Sequence, residues 1–396
     1  MAPLPRASRH DRPSTMLAAM RVLIAPDQFK GTLAADAVAR AIAAGWRSVR
    51  PSDSLTLVPM SDGGDGFGAV LGKLIGARTL SLPTTNAACR PHRARWWWVD
   101  SSRTAILEAA QSNGLALLPK GLHHPFALDT FGVARLVLFA LRKGAKRCVV
   151  GVGGSATNDG GFGLARGLGW TFHDRAGNPI HEWTELRRLH RLTPPAKPLP
   201  ACRFVVATDV ENPLLGKHGA TRVYGPQKGL TPADFPVAEA ALRRLAAVVR
   251  RQLGFDSSSP GAGAAGGLGF GFMAFLGAER RLGFDIFAEH ARLDARIRDA
   301  DVVVTGEGAF DFQSVMGKGV GQCIHRARRA GRPVVVLAGR VADDARAAEG
   351  VRWLEGLCDI TSTRQAMERT AAWLRRLAAR AASAWTDDAG RRTRSV

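Results

Sequence analysis

Short apolar runs rich in valine and isoleucine recur along this chain, and helical patterns separate them. Arg21 to Ala25, Leu55 to Val58, Cys148 to Val152, Phe204 to Ala207, Asp301 to Thr305 and Pro333 to Leu337 are of this kind. Such runs read as strands covered on both faces, and strands alternating with helices build parallel sheets. The pattern predicts an α/β fold. Helices are predicted over Ala34 to Trp46, from Asp129 or Thr130 to Lys143 with Gly144 as the left-handed stop, over Pro232 to Leu253, and over Thr363 to Ala382.

Composition narrows the function classes. The chain has 396 residues, which at ~150 residues per domain suggests two or three domains. Its 46% apolar content supplies a sizeable core and excludes disorder along the whole chain. Apolar stretches such as Leu136 to Leu141 are far short of the ~20 residues that a membrane span needs. The net charge is +21, but it is spread without long basic runs or interleaved aromatics. That argues against nucleic acid as the partner, while a basic surface still draws in anionic substrates. The five cysteines form no C-x-x-C pair, which fits a reducing compartment, the cytoplasm. Residues 1–19 carry no apolar core like that of a secretory signal and read as a loose tail.

Glycine and acid cluster where strands end. Asp62-Gly63-Gly64-Asp65-Gly66, the segment from Gly151 to Gly161, and Gly306-Glu307-Gly308 with Asp311 each follow a strand-like run. In open parallel sheets ligands sit at the carboxyl ends of the strands, and glycine-rich turns there expose N–H groups to anions. Three such loops point to an anionic ligand held together with cations. Further clusters are Asp27 to Thr32, Thr208 to Pro213, and Gly225 to Gly229 with Lys228. Carboxylates hold a metal ion or take a hydroxyl proton, and lysines neutralise a moving phosphoryl group. Phosphoryl transfer needs this set, because its catalysis is mostly positioning and charge stabilisation.

A competing pattern is present. Gly151, Gly153 and Ala156 satisfy G-x-G-x-x-A, and Asp174 lies near the expected ribose acid, so an NAD-dependent oxidoreductase is the alternative. Asn158 and Asp159 count against it, since an acid there would repel a pyrophosphate. Gly261 to Gly266 also matches, but it follows no strand and reads as the start of a close-packed helix running on to Leu276. The chain has no G-x-x-x-x-G-K-[ST] loop, no G-x-S-x-G elbow and no H-E-x-x-H.

Taken in order, Ile24 to Gly31, Pro59 to Gly66, Gly151 to Gly161, Asp209 to Gly216, Gly225 to Gly229, Pro260 to Gly269 and Thr305 to Gly308 resemble the bacterial type I glycerate kinases. The strings G-G-S-A-T-N-D-G-G and N-P-L-L-G…G-P-Q-K-G are long and specific. The resemblance runs from about Met20 to near Ala382. It implies ATP-dependent phosphorylation of D-glycerate, usually to 2-phosphoglycerate, with Mg²⁺. It also implies two α/β domains with the site in the cleft between them. One would be Rossmann-like, built from both chain ends, 20–85 plus 296–385. Residues 86–295 would be an inserted α/β domain, and 386–396 a tail.

Under this resemblance Lys30 is expected to hold the substrate carboxylate or the moving phosphoryl group, with Asp27 orienting it. Asp62 and Asp65 would contact substrate hydroxyls or a metal ion. Gly153, Gly154, Ser155 and Asn158 would line the phosphates, and Asp159 would hold Mg²⁺. Asp209, Glu307 and Asp311 would supply the general base or bind metal, while Lys228 and Lys318 would offset developing charge. The chain departs from the family pattern at Gln28, Thr32, Ser61, Asp65, Phe67 and Phe312, where hydroxyls are mostly lost and charges kept. A related small hydroxy acid is therefore also an expected acceptor.

Overall fold

The computed structural model describes residues 18–119, 121, 123–315 and 319–392. The first strands in chain order are β1 (Arg21–Ile24), β2 (Ser54–Leu57), β3 (Arg78–Thr85), β4 (Pro91–Val99), β5 (Thr104–Glu108) and β6 (Arg147–Gly151). Between them lie helices α1 (Ala35–Val49) and α2 (Phe67–Leu74). Strands Arg203–Ala207, Glu279–Arg281, Val302–Thr305, Val334–Ala338 and Val351–Gly356 follow.

These strands form two sheets. The first is wholly parallel and draws on both chain ends, in the order Val351–Gly356, Val334–Ala338, Val302–Thr305, β1, β2. The second runs Glu279–Arg281, Arg203–Ala207, β6, β5, β4, β3, and only its last two pairings are antiparallel. The central valine runs are buried on both faces, as in Val302–Thr305 and Val334–Ala338. This is why the sequence shows continuous apolar runs rather than alternation.

The pairing moves the chain division expected at residue 85. β3 is a strand of the second sheet, zipped to β4 from Arg78↔Trp98 to Thr85↔Pro91. The division expected at 296 also falls earlier. Phe284 and Phe287, on helix Gly283–His290, pack into the core of the first sheet with Leu23 and Val303. The helix expected to run to Leu276 is present as Ala264–Leu276, but Ala265, Gly266 and Gly267 are left-handed. The Gly266 carbonyl there accepts from Gly160 N at 3.0 Å, so this turn supports the Gly151–Gly161 loop. No helix of the described residues is long and apolar enough to cross a membrane.

Helix α2 couples the two sheets. The period of two along β4 sends Trp97 to one face and Trp96 and Trp98 to the other. Phe67 and Leu71 of α2 pack with Trp97, while Val70 and Leu74 lean on the core of the first sheet. Close approach at Gly68 makes this possible, since a Cβ there would lie 1.8 Å from Trp97 Cζ3. Gly68→Ala is therefore expected to cost about 1–3 kcal/mol through overpacking. Urea denaturation measures it, and an unchanged midpoint would contradict the wedge.

Candidate active site

The loops that leave the strands at their carboxyl ends meet at one acidic centre. After β1, Asp27 N donates to Gly306 O at 2.8 Å, which ties the Asp27 loop to the Glu307 loop. Lys30 sits on a tight turn closed by Phe29 N donating to Leu33 O at 2.8 Å. After β2, Asp62 Oδ1 accepts from Gly64 N at 3.0 Å. After Arg203–Ala207, both Asp209 oxygens accept from Phe284 N at 3.3 Å. Asp27, Lys30, Asp62, Glu307 and Asp311 line a cavity of about 460 Å³.

Electrostatics bind this cluster together. Burial pushes the Asp27 carboxyl well above the usual range, and the Asp62 charge adds to that. Burial, with the charges of Asp311 and Asp62, raises Glu307 to about 7. Burial, again with Asp62, raises Asp209 to about 7. Asp65 is raised by burial and pulled back by Lys30. Asp62 is thus the shared acidic neighbour of four carboxyls, and Lys30 opposes the shift at three of them, Asp27, Asp65 and Glu307. Among the described residues Glu307 Oε1 is buried with no hydrogen-bond partner.

The cluster asks for positive charge. Among the described residues no three His, Cys, Asp or Glu converge to cage a metal by themselves. Mg²⁺ bound to a nucleotide takes one or two carboxylates, with phosphate oxygens and water as its other ligands. The orphaned Glu307 oxygen fits such an ion.

The Gly151–Gly161 loop is different from what its composition suggests. Asp159 is wholly buried, and its carboxylate accepts from Thr130 N, Thr130 Oγ1, Gly161 N and Gly163 N at 2.8–3.1 Å. Four protein donors occupy it, so the expectation that Asp159 holds Mg²⁺ is corrected to a structural role. Lys228 is buried and donates to Ser155 Oγ at 3.0 Å and Thr157 O at 2.6 Å; burial lowers its ammonium to about 7. Asn158 is also buried and donates to Thr221 Oγ1 at 3.0 Å. Ser155 and Asn158, expected to line the phosphates, and Lys228, expected to offset developing charge, instead bond in the interior, Lys228 to the Ser155 and Thr157 stretch and Asn158 to helix Ala220–Tyr224. Gly153 N donates to Gly63 O at 3.1 Å, and a Cβ on Gly153 would lie 2.6 Å from Gly64 Cα. Gly154 stands against Asp65. The loop braces the Asp62–Asp65 turn from behind.

The dinucleotide reading also fails on topology. The strand after this loop's helix, Thr171–His173, pairs antiparallel with Arg191–Thr193, outside the parallel sheet. Asp174 caps its own turn to Asn178. The strand that lies parallel beside β6 after this loop is Arg203–Ala207, so Asp174 does not stand at the end of that strand, where a dinucleotide fold places its ribose acid.

Several departures have plain roles. Phe67 is buried in the core with Trp97, so it does not face the cavity. Gln28 Nε2 donates to Asp65 O at 3.0 Å, and Thr32 Oγ1 donates to Phe29 O at 3.0 Å. Phe312 is exposed. Lys318 lies outside the described residues. Sequence reasoning missed Glu108, which ends β5 and accepts from Gly66 N and Gly68 N at 3.0 Å, fixing the start of α2. The signal was an acid closing an otherwise apolar run, Thr104 to Glu108.

The sequence model of the glycerate kinase family matches residues 22–386. The chain is 38% identical to the glycerate 2-kinase of Escherichia coli K12 over 333 residues, covering 82% of this chain and 86% of that one. It is 36% identical to the glycerate kinase of Bacillus subtilis 168, covering 83% of this chain and 87% of the other. Against the crystal structure of a proposed glycerate kinase 2 from Salmonella typhimurium LT2 the TM-score is 0.77 at 34% identity, covering 95% of this chain and 100% of that chain. Sequence and fold agree over nearly the same span, and the chain belongs to the glycerate kinase family.

Proposed function

We propose that this chain transfers the γ-phosphoryl group of ATP to the 2-hydroxyl of D-glycerate in the cytoplasm, with Mg²⁺ as the ion. The observation that carries the reading is the Asp62-centred group of carboxylates, with Asp27, Asp62, Asp209 and Glu307 half-buried, Asp65 exposed and Lys30 at its edge. Such a group is costly in an empty site and is relieved when cations arrive with a nucleotide. A structural role would not call for so many unneutralised acids around a cavity.

The residues divide the work. Glu307 would hold Mg²⁺ through its orphaned oxygen, together with phosphate oxygens. The ion supplies charge neutralisation across the transferring phosphates when bound. Lys30 donates hydrogen bonds to the oxygens of the moving phosphoryl group or to the glycerate carboxylate, and Asp27 orients it. Asp209, poised near 7, takes the proton of the acceptor hydroxyl, and a carboxylate with that pKa is matched to such a task at neutral pH. Asp62 and Asp65 hold the remaining hydroxyl, and Asp311, which shares the cavity wall with Glu307, adds to the raised state that burial sets there. The net charge of +21 favours the approach of both anionic substrates.

Three outcomes are expected. Lys30→Ala lowers kcat/KM by about 10²–10³-fold, with the larger loss in kcat, and Lys30→Arg recovers part of it. Near-normal activity of Lys30→Ala would overturn its role. Asp209 takes a proton, and Glu307 holds the ion, only when ionised, so kcat/KM rises as pH increases through about 7; a profile flat across that range would contradict both roles. Phosphorus NMR of the product places the phosphate at the 2-position; signal at the 3-position would overturn the regiochemistry.

A further inference from the structure

The cavity is larger than a three-carbon acid needs. At about 460 Å³ it has the size of a site that encloses a whole nucleotide-sized ligand, typically ~300–1,000 Å³. Its acidic end is only part of it. The other end is lined by Leu357, Cys358, Thr363, Ala366 and Met367, from the segment between the last strand of the first sheet and the C-terminal helix. Leu357 and Ala366 are buried, and Met367 is exposed.

Hydrogen bonds give the order of the wall from one end to the other. Gly339 N donates to Glu307 O at 2.9 Å, and Cys358 N donates to Gly339 O at 3.1 Å. Cys358 Sγ lies 3.7 Å from Thr363 Oγ1. The wall therefore runs from Glu307, past Gly308 and Gly339, which carry no side chains, to Cys358 and Thr363. Arg340 stands beside the middle stretch, with its N donating to Gly308 O at 3.1 Å. Acid end, bare backbone with one guanidinium, apolar end: this sequence of surfaces matches metal-bound terminal phosphates, the inner phosphates, and a flat base.

We propose that the purine base of the phosphoryl donor docks against Leu357, Cys358, Thr363, Ala366 and Met367, with Arg340 at its inner phosphates. This rests on the kinase reading above and deepens it. Glycerate, a small polar anion, has no apolar face to match that end. The glycine-rich Gly151–Gly161 loop is no rival for the base. Its Ser155, Asn158 and Asp159 side chains are engaged inside the protein. Apolar walls with a few polar atoms at the rim are the usual setting for a base. Thr363 Oγ1 supplies such a polar atom here.

Cys358 provides a readout that does not depend on turnover. The full-length protein is treated with N-ethylmaleimide, and labelling of Cys358 is followed by mass spectrometry, with exposed Cys89 as the internal reference. Saturating Mg-ADP is expected to slow labelling of Cys358 at least about fivefold and leave Cys89 unchanged, while glycerate alone protects neither. Ala366→Leu, which narrows the apolar end, is expected to raise KM for ATP about tenfold with KM for glycerate held. Protection of Cys358 by glycerate alone overturns the proposal, as does an absence of protection by Mg-ADP in a protein that turns over. Protection by Mg-ADP without phosphoryl transfer to glycerate upholds the base site and overturns the acceptor instead.

Discussion

Everything at this site depends on one unfavourable arrangement, the crowding of Asp27, Asp62, Asp65, Asp209 and Glu307 where strand ends from two sheets meet. Desolvation is the leading cause of the raised carboxyls, and Asp62 is the acid they share. A carboxyl raised in the folded state favours folding while it is protonated. Its contribution is fully present at pH below its unfolded value and is lost as pH climbs through about 7 for Asp209 and Glu307. At neutral pH the cluster therefore works against the fold. The scaffold must hold it by other means, and under the proposed function a metal-bound nucleotide would relieve it.

Those means are visible in the loops behind the site. Glu108 grips the start of α2 through two backbone N–H groups, and α2 in turn leans on both cores. Asp159 gathers four donors around the start of helix Phe162–Gly167. Lys228 stitches the loop at Ser155 and Thr157. Each is a buried polar group whose position is fixed by close partners, while burial pushes the Glu108 and Asp159 carboxyls up and the Lys228 ammonium down to about 7. The Gly153 contact with Gly63 then transmits this rigidity to the turn that carries Asp62.

The strands were legible because parallel strands buried on both faces have no choice but to be apolar throughout. Val302–Thr305 and Val334–Ala338 sit within a residue of where the pattern puts them. The edge hairpin β3–β4 was not legible as such. Its three consecutive tryptophans serve two different cores, so both faces are apolar there and no polar alternation marks the strand. The acids at strand ends were legible because a solvated turn needs fewer of them. What composition could not reveal was direction. Asp159, Ser155, Asn158 and Lys228 have the residue types of a phosphate cradle, yet their side chains turn inward, and only packing against Thr130 and Thr221 shows that. The apolar end of the cavity was invisible for the opposite reason, since Leu357, Cys358, Ala366 and Met367 carry no motif at all.

The decisive experiment removes the shared charge and keeps the shape. Asp62→Asn retains an oxygen to accept from Gly64 N and deletes the like charge felt by four neighbours. Denaturation midpoint and kcat would be measured on the same preparation at pH 8. A higher midpoint together with a fall in kcat is expected, the signature of a site held at the expense of stability. A lower midpoint, or an unchanged kcat, would contradict it.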